Sequence, residues 1–234
     1  MLATESHAQT YDLDGQPTTA DSWIAPVTLI SEIPGTTSKS LAAREHAYLE
    51  GDAKTQIYAI ESGAVCIYKV LADGRRQVID FALPGDIIGL GTTGEHAYSA
   101  QATTATCLRC LPYASLHTAA RSNPAFGMLL YDCLSHELDA ARDLLVTVGQ
   151  RNAMQRVTSF LLSLSARNVR YGEDREVVVL PMTRSDIADF LGLTIETVSR
   201  TITKLKTRGY IKLEEAGRIR LLDLDAMHDL CSDD

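Results

Sequence analysis

Apolar side chains along this chain change their spacing twice, and each spacing marks a different kind of element. From about Ile24 to Leu116 they come in short runs closed by glycine. Ile57, Ala59 and Ile60 precede Ser62-Gly63, Val65, Ile67 and Lys69 alternate before Asp73-Gly74, and Gln77 to Phe81 forms the next run. Leu83 to Gly89 turns the chain again. Alternation closed by Asp-Gly is a hairpin signal, and strands at this even spacing, with no helical crossover between them, predict a β-barrel or jelly roll. From Asn123 to about Gln150 the spacing lengthens. Leu130, Leu134, Leu138, Ala141, Leu145 and Val148 recur at intervals of three and four, a heptad-like seam on one face of a long helix. Gly149 to Asn152 reads as a hinge, and Met154 to about Arg167 as the next helix.

The stretch Thr183 to Gly209, TRSDIADFLGLTIETVSRTITKLKTRG, then predicts two short helices joined at a glycine. Ile187 and Leu191 face one core, and Ala188 is small where two helices would cross. Gly192 suits a helix end, where a left-handed residue costs least. Thr183 and Thr194 can cap the two helices. At about 100° per residue, Val198, Ile202 and Leu205 fall on one arc of the second helix, while Glu196, Ser199, Arg200 and Thr203 fall on the opposite one. This is the layout of a helix-turn-helix. Ile211 and Leu213, then Ile219 and Leu221, alternate around a turn at Glu214 to Gly217, so a wing follows. Glu176 to Leu180 is a candidate added strand, and Leu224 to Leu230 a short final helix.

The outward arc carries base-reading chemistry. Arg200 has the planar fork that matches guanine O6 and N7, Glu196 can accept from cytosine N4, and Ser199 can bond a base edge or a phosphate. One turn apart, Glu196 and Arg200 could instead form an ordinary surface ion pair or hold each other's rotamers. The two-helix frame favours base reading by Glu196, Ser199 and Arg200. Thr183, Arg184, Ile195, Thr197, Thr203, Lys204 and Lys206 are the expected additional contacts to DNA.

Charge agrees. The 234-residue chain carries a formal net charge of −8, yet Arg200, Lys204, Lys206, Arg208 and Lys212 follow one another with no acid between them. Residues 151–234 hold 13 basic and 13 acidic side chains, so the whole deficit lies in residues 1–150. A basic stripe on an acidic protein favours phosphate contact, although a helix dipole alone also favours cations at that end. The length suggests two domains. No apolar run of about 18 residues is present, so no membrane span is expected. The N-terminus does not read as a signal peptide, and an odd count of five cysteines suits a reducing cytoplasm. Paired catalytic carboxylates, a nucleophile elbow, a phosphate loop and a metalloprotease helix are all missing, so no enzyme is expected. The expected organisation is α+β, with a flexible arm over 1–22, the roll over 23–122, the long helix over 123–150 and a winged helix-turn-helix over 151–234. The long helix either packs on its own roll or pairs with a second copy. Two half-sites in an operator need two reader helices, which favours a homodimer.

Roll, long helix and winged reader, in this order, resemble the Crp/Fnr superfamily of bacterial transcription regulators over about residues 25–230. The strongest pieces are Leu83-Pro84-Gly85-Asp86-Ile87-Ile88-Gly89 and Leu193-Thr194-Ile195-Glu196-Thr197-Val198-Ser199-Arg200. The Glu-Thr-Val-Ser-Arg form is similar to the Fnr and FixK groups. The cyclic AMP receptor group usually has Arg before the Glu and Gly at the Ser position, and Ile195 and Ser199 depart from that. The resemblance implies a cyclic-nucleotide-binding-like roll, a homodimer, RNA polymerase as partner, and a palindromic operator of the TTGAT-N4-ATCAA type in double-stranded DNA.

The resemblance also frames the question of a sensor. Fnr holds an iron–sulfur cluster through N-terminal cysteines and one in the roll. The first 65 residues here contain no cysteine, and Cys110 resembles the roll cysteine without its partners, so no cluster is expected. Cys107 and Cys110, three apart on a strand, point to opposite faces and read as packing rather than a metal clamp. The Gly-Glu pair that holds a ribose falls at Gly89-Leu90, and the Arg-Ser pair that grips the phosphate at about His96-Ala97. No arginine is present there for a bidentate phosphate contact, and His96 reads as a surface loop residue. None of the six histidines sits in a haem motif. No cofactor or metal is therefore expected. The resemblance then implies an effector-independent activator of the FixK type, acting on microaerobic, denitrification or nitrogen-fixation genes. A ligand-gated sensor for haem, a nucleotide or another metabolite is the alternative, cysteine oxidation stays open as a control, and a ligand-binding module without DNA activity is a remote third.

Overall fold

The computed structural model describes residues 26–170 and 174–232, so the arm expected over 1–22 lies outside the described residues. The first half is built from β1 (Thr37–Leu41), β2 (His46–Tyr48), β3 (Gln56–Ser62), β4 (Val65–Val70), β5 (Arg76–Ala82), β6 (Ile87–Ile88), β7 (Ser99–Ala102) and β8 (Thr106–Pro112). They pair antiparallel into two four-stranded sheets, β1-β8-β3-β6 and β2-β7-β4-β5. Ile60, Val65, Ala100 and Leu108 are fully buried between them. The turn from β3 to β4 requires Gly63. Its φ is 86°, and a Cβ there would lie 2.4 Å from the carbonyl oxygen of Ala105. Cys107 and Cys110 on β8 do face opposite ways, Cys107 half-buried and Cys110 in the roll core.

The structure corrects the strand reading at both ends of the roll. Pro26–Ser31 is a helix, α1, and Tyr113–Ser122 is another, α2. Both are short, so periodicity had little length to act on. Leu29 and Ile30 of α1 and Leu116 and Ala119 of α2 bury into one cluster with Ile57 and Leu111 on the back of the roll.

The long helix α3 runs Pro124–Gln150, with Asn123 accepting from the Phe126 amide at 3.3 Å and proline at the first position. Phe126 and Leu129 anchor its start on the roll. Along the expected seam, Leu130 and Val148 are half-buried, Ala141 is exposed, and Leu134, Leu138 and Leu145 are 49%, 51% and 74% exposed. Most of the stripe thus stays open to solvent in the single chain. The helix stops where Arg151 turns extended (φ −91°, ψ 145°). Arg156, in α4 (Ala153–Arg170), straps the break. Its guanidinium donates to the carbonyls of Val148 at 2.7 Å, Arg151 at 2.8 Å and Leu191 at 3.0 Å.

The second half continues with β9 (Val177–Val179), α5 (Arg184–Leu191), α6 (Ile195–Thr207), β10 (Ile211–Leu213), β11 (Arg218–Leu221) and α7 (Leu224–Ser232). The expected wing is β10 and β11, and β9 joins it in the order β10-β11-β9. Val157, Ile187, Leu191, Val198, Ile202, Leu205, Ile211 and Ile219 fill the core. That core also takes in Val78 and Phe81 from β5 of the roll. No helix among the described residues is long and apolar enough to cross a membrane.

Candidate DNA interface

The helix pair forms as its end residues dictate. Thr183 Oγ1 accepts from the Asp186 amide at 3.1 Å, while Asp186 Oδ2 accepts from the Thr183 amide at 2.9 Å and its hydroxyl at 2.7 Å. This is a closed capping box at the start of α5. Gly192 ends α5 in the left-handed region, at φ 62° and ψ 41°. Thr194 Oγ1 then accepts from the Thr197 amide at 3.2 Å and opens α6.

Helix α6 buries Val198, Thr201, Ile202 and Leu205. It leaves Glu196, Ser199, Arg200, Thr203, Lys204 and Lys206 exposed on the other side, as the spacing requires. Thr194, Ile195, Glu196, Ser199 and Arg200 together line a shallow concave surface, with Ile195 44% exposed at its edge. Glu196 is in the first turn, where an anion is favoured by the helix dipole, and Lys204 and Lys206 are in the last, where cations are. Glu196 and Arg200 form no ion pair with each other or with any other described side chain. The mutual bracing that their spacing allowed is absent, and both ends project from the helix.

The flanking residues divide. Thr203 Oγ1 donates back to the Ser199 carbonyl at 3.0 Å. The hydroxyls of Thr183 and Thr197 are engaged in the two caps. Arg184 is half-buried, its Nη1 is buried without a hydrogen-bond partner, and burial lowers its pKa. Ile195, Lys204 and Lys206 stay open to solvent. The basic run from Arg200 to Lys212 did not take in Arg218, which is exposed at the start of β11 and adds positive charge to the wing. Sequence distance hid it, since the wing hairpin separates it from the basic run. Arg220 is held by Glu214 at 3.0 Å.

His96 departs from its expected surface placement. The loop is as expected but the surface is not: His96 lies between β6 and β7, is 4% exposed, and stacks its ring on Tyr48 with centroids 3.6 Å apart. Burial, with Lys54 nearby, pushes its pKa below the ordinary imidazole value, so the ring is neutral. Gly89 lies against it, with a φ of 86° and room for a Cβ only at 3.4 Å from the His96 ring. Beside this stack, between the roll, α3 and α4, is a cleft of about 690 Å³. It is lined by Asp80, Asp86, Glu137, Asp139 and Asp143, opposed by Arg151 and Arg167.

An antiparallel roll, a long helix with an unpartnered apolar stripe and a winged helix-turn-helix with a polar reading face define a DNA-binding transcription regulator with a sensor-type roll. Comparison with known proteins agrees. Residues 155–230 match the Crp-like helix-turn-helix domain, and residues 38–123 the cyclic nucleotide-binding domain. The nitrogen fixation regulation protein FixK of Bradyrhizobium diazoefficiens is 41% identical over 179 residues, covering 76% of this chain and 75% of that protein. The transcriptional activatory protein AadR of Rhodopseudomonas palustris is 36% identical over 180 residues, covering 77% and 75%. The structure of FixK2 from Bradyrhizobium japonicum aligns with a TM-score of 0.77 at 36% identity, covering 85% of this chain and 98% of that one. The chain belongs to the Crp/Fnr superfamily of transcription regulators, within its FixK group, and is not an enzyme.

Proposed function

We propose that this protein is a homodimeric activator that reads a TTGAT-N4-ATCAA-like palindrome without a small-molecule effector. Glu196, Ser199 and Arg200 are the base readers. Ile195, Lys204 and Lys206 give further contacts, and Thr183, Arg184, Thr197 and Thr203 contribute through their place at the helix ends and on the reading face. The observation that carries this reading is the concave face of α6, where an acceptor, a hydroxyl and a guanidinium project side by side. The exposed stripe of Leu134, Leu138, Ala141 and Leu145 supports dimerisation through α3. Effector independence is supported by the His96–Tyr48 stack, which packs the chain's own ring where the resemblance puts the phosphate-gripping pair. The neighbouring cleft carries five acids against two arginines, an acidic excess that disfavours a phosphate anion. The FixK relatives are named nitrogen fixation regulation proteins, which supports control of nitrogen-fixation genes; microaerobic or denitrification genes, the cytoplasm and RNA polymerase as partner belong to the same reading of the family.

Selection of bound duplexes from a random pool, with metal-free and ligand-free protein, tests the reading. Recovery of a TTGAT-type palindrome supports it. Recovery of single half-sites contradicts the dimer, and recovery of nothing contradicts effector independence.

A further inference from the structure

The roll touches the reader domain along the whole length of one strand, β5. Arg76 opens that strand, and its Nη1 donates to Asp186 Oδ1 at 2.9 Å, with the two side chains 30% and 11% exposed. Asp186 is the carboxylate of the capping box, so this roll cation holds the residue that starts the helix-turn-helix. The guanidinium is itself fixed. It lies 4.3 Å from the Tyr68 ring centroid, and its Nη2 donates to Cys66 Sγ at 2.9 Å. Burial pushes the Cys66 thiol up to about 12, so that contact stays neutral and the carboxylate answers the charge. One residue on, Gln77 Nε2 donates to the main-chain carbonyl of Asp189 at 2.7 Å. Towards the other end of β5, Phe81 meets Phe190 of α5 at 5.3 Å and Phe160 of α4 at 6.1 Å between centroids. Beyond it, Asp86 pairs with Arg167 of α4.

These contacts differ in kind. The aromatic trio holds the two halves together without fixing a direction. The bonds from Arg76 and Gln77 and the Asp86–Arg167 pair are directional, and of these the two from Arg76 and Gln77 end on α5. The covalent link between α3 and α4 is non-helical at Arg151 and is strapped by Arg156, so the bonds from the roll act with that strap in setting the angle of the reader. We infer that Arg76 and Gln77 are positioning residues, a latch through which each roll sets the angle at which its own α6 meets DNA. The inference rests on the dimeric, palindrome-reading function proposed above. Two readers held at fixed angles match one half-site spacing, whereas loosened readers tolerate several and lose the gain from preorganisation.

The test compares the intact protein with Arg76→Ala and Gln77→Ala. Two readouts are taken: affinity for palindromes whose half-sites are native-spaced or two base pairs further apart, and the rate of trypsin cleavage at Arg151 without DNA. The latch predicts that the spacing preference of the intact protein falls about tenfold in the variants. Discrimination against a changed guanine within a half-site persists, because α6 is untouched, and cleavage at Arg151 speeds up. Arg76→Lys keeps the charge but not the fork, and restores part of the preference. A merely structural role would lower thermal stability and base discrimination together. Gln77→Ala removes one hydrogen bond and carries the test should Arg76→Ala fail to fold. Unchanged spacing preference with unchanged cleavage overturns the inference. If the intact protein binds no palindrome, the functional reading fails instead, and the cleavage rates alone decide the latch.

Discussion

His96 lies flat on Tyr48, ring centroids 3.6 Å apart and planes 10° apart, so the roll packs a buried imidazole against its own aromatic core. A neutral, buried imidazole makes this arrangement pH-sensitive. Its pKa is lowered from the usual 6.5, chiefly by burial. Between the usual value and the lowered one, the unfolded chain binds a proton that the folded chain does not. Stability is therefore full above about pH 6.5 and declines as pH falls through that window. His96→Phe keeps the stack and removes the titration. Denaturant midpoints at about pH 7.5 and pH 5 should show a smaller acid loss in the variant than in the parent; equal losses would discount His96 as the cause.

Gly192 tests the turn between α5 and α6. Its φ is 62°, and an added Cβ meets only ordinary contacts, 3.6 Å from Arg156 and 3.8 Å from Val148. Gly192→Ala should then cost about 1–2 kcal/mol through backbone strain alone. Gly192→Asn should recover part of it, because asparagine tolerates the left-handed region. Thermal or denaturant unfolding measures both.

Arg200 and the two lysines separate base reading from phosphate contact. Arg200→Ala should lose on the order of 1–3 kcal/mol on the cognate site and relax preference at the guanine. Lys204→Ala and Lys206→Ala should weaken cognate and scrambled duplexes alike and make the salt dependence shallower. Binding titrations at several salt concentrations distinguish the two patterns.

Leu138 is 51% exposed in the single chain and central in the α3 stripe. Leu138→Glu sets two carboxylates face to face in a paired seam. Sedimentation should show monomers where the parent sediments as a dimer, and affinity for the full palindrome should fall by about a hundredfold. A variant that remains dimeric would place the interface elsewhere.

What the sequence showed and hid follows from locality. The caps at Thr183 and Thr194, the left-handed Gly192 and the two arcs of α6 are set by neighbours within a few positions, and all were legible. The strands of the roll were legible for the same reason. Helices α1 and α2 were not, because each spans only two or three turns and takes its burial from distant residues such as Ile57 and Leu111. His96 looked exposed because its loop, Gly94 to Tyr98, is short and glycine-marked. Tyr48, which buries it, belongs to the distant strand β2. Arg76 and Gln77 carried no motif at all, and only the fold brings them to α5.

Effector independence is the central claim, and one binding measurement tests it most directly. Protein stripped of metals and small molecules is titrated onto a TTGAT-N4-ATCAA duplex and a scrambled duplex, each with and without added cyclic AMP and haem. The account predicts a preference of about a thousandfold for the palindrome that no addition changes. Binding that appears only once a ligand is added would contradict it.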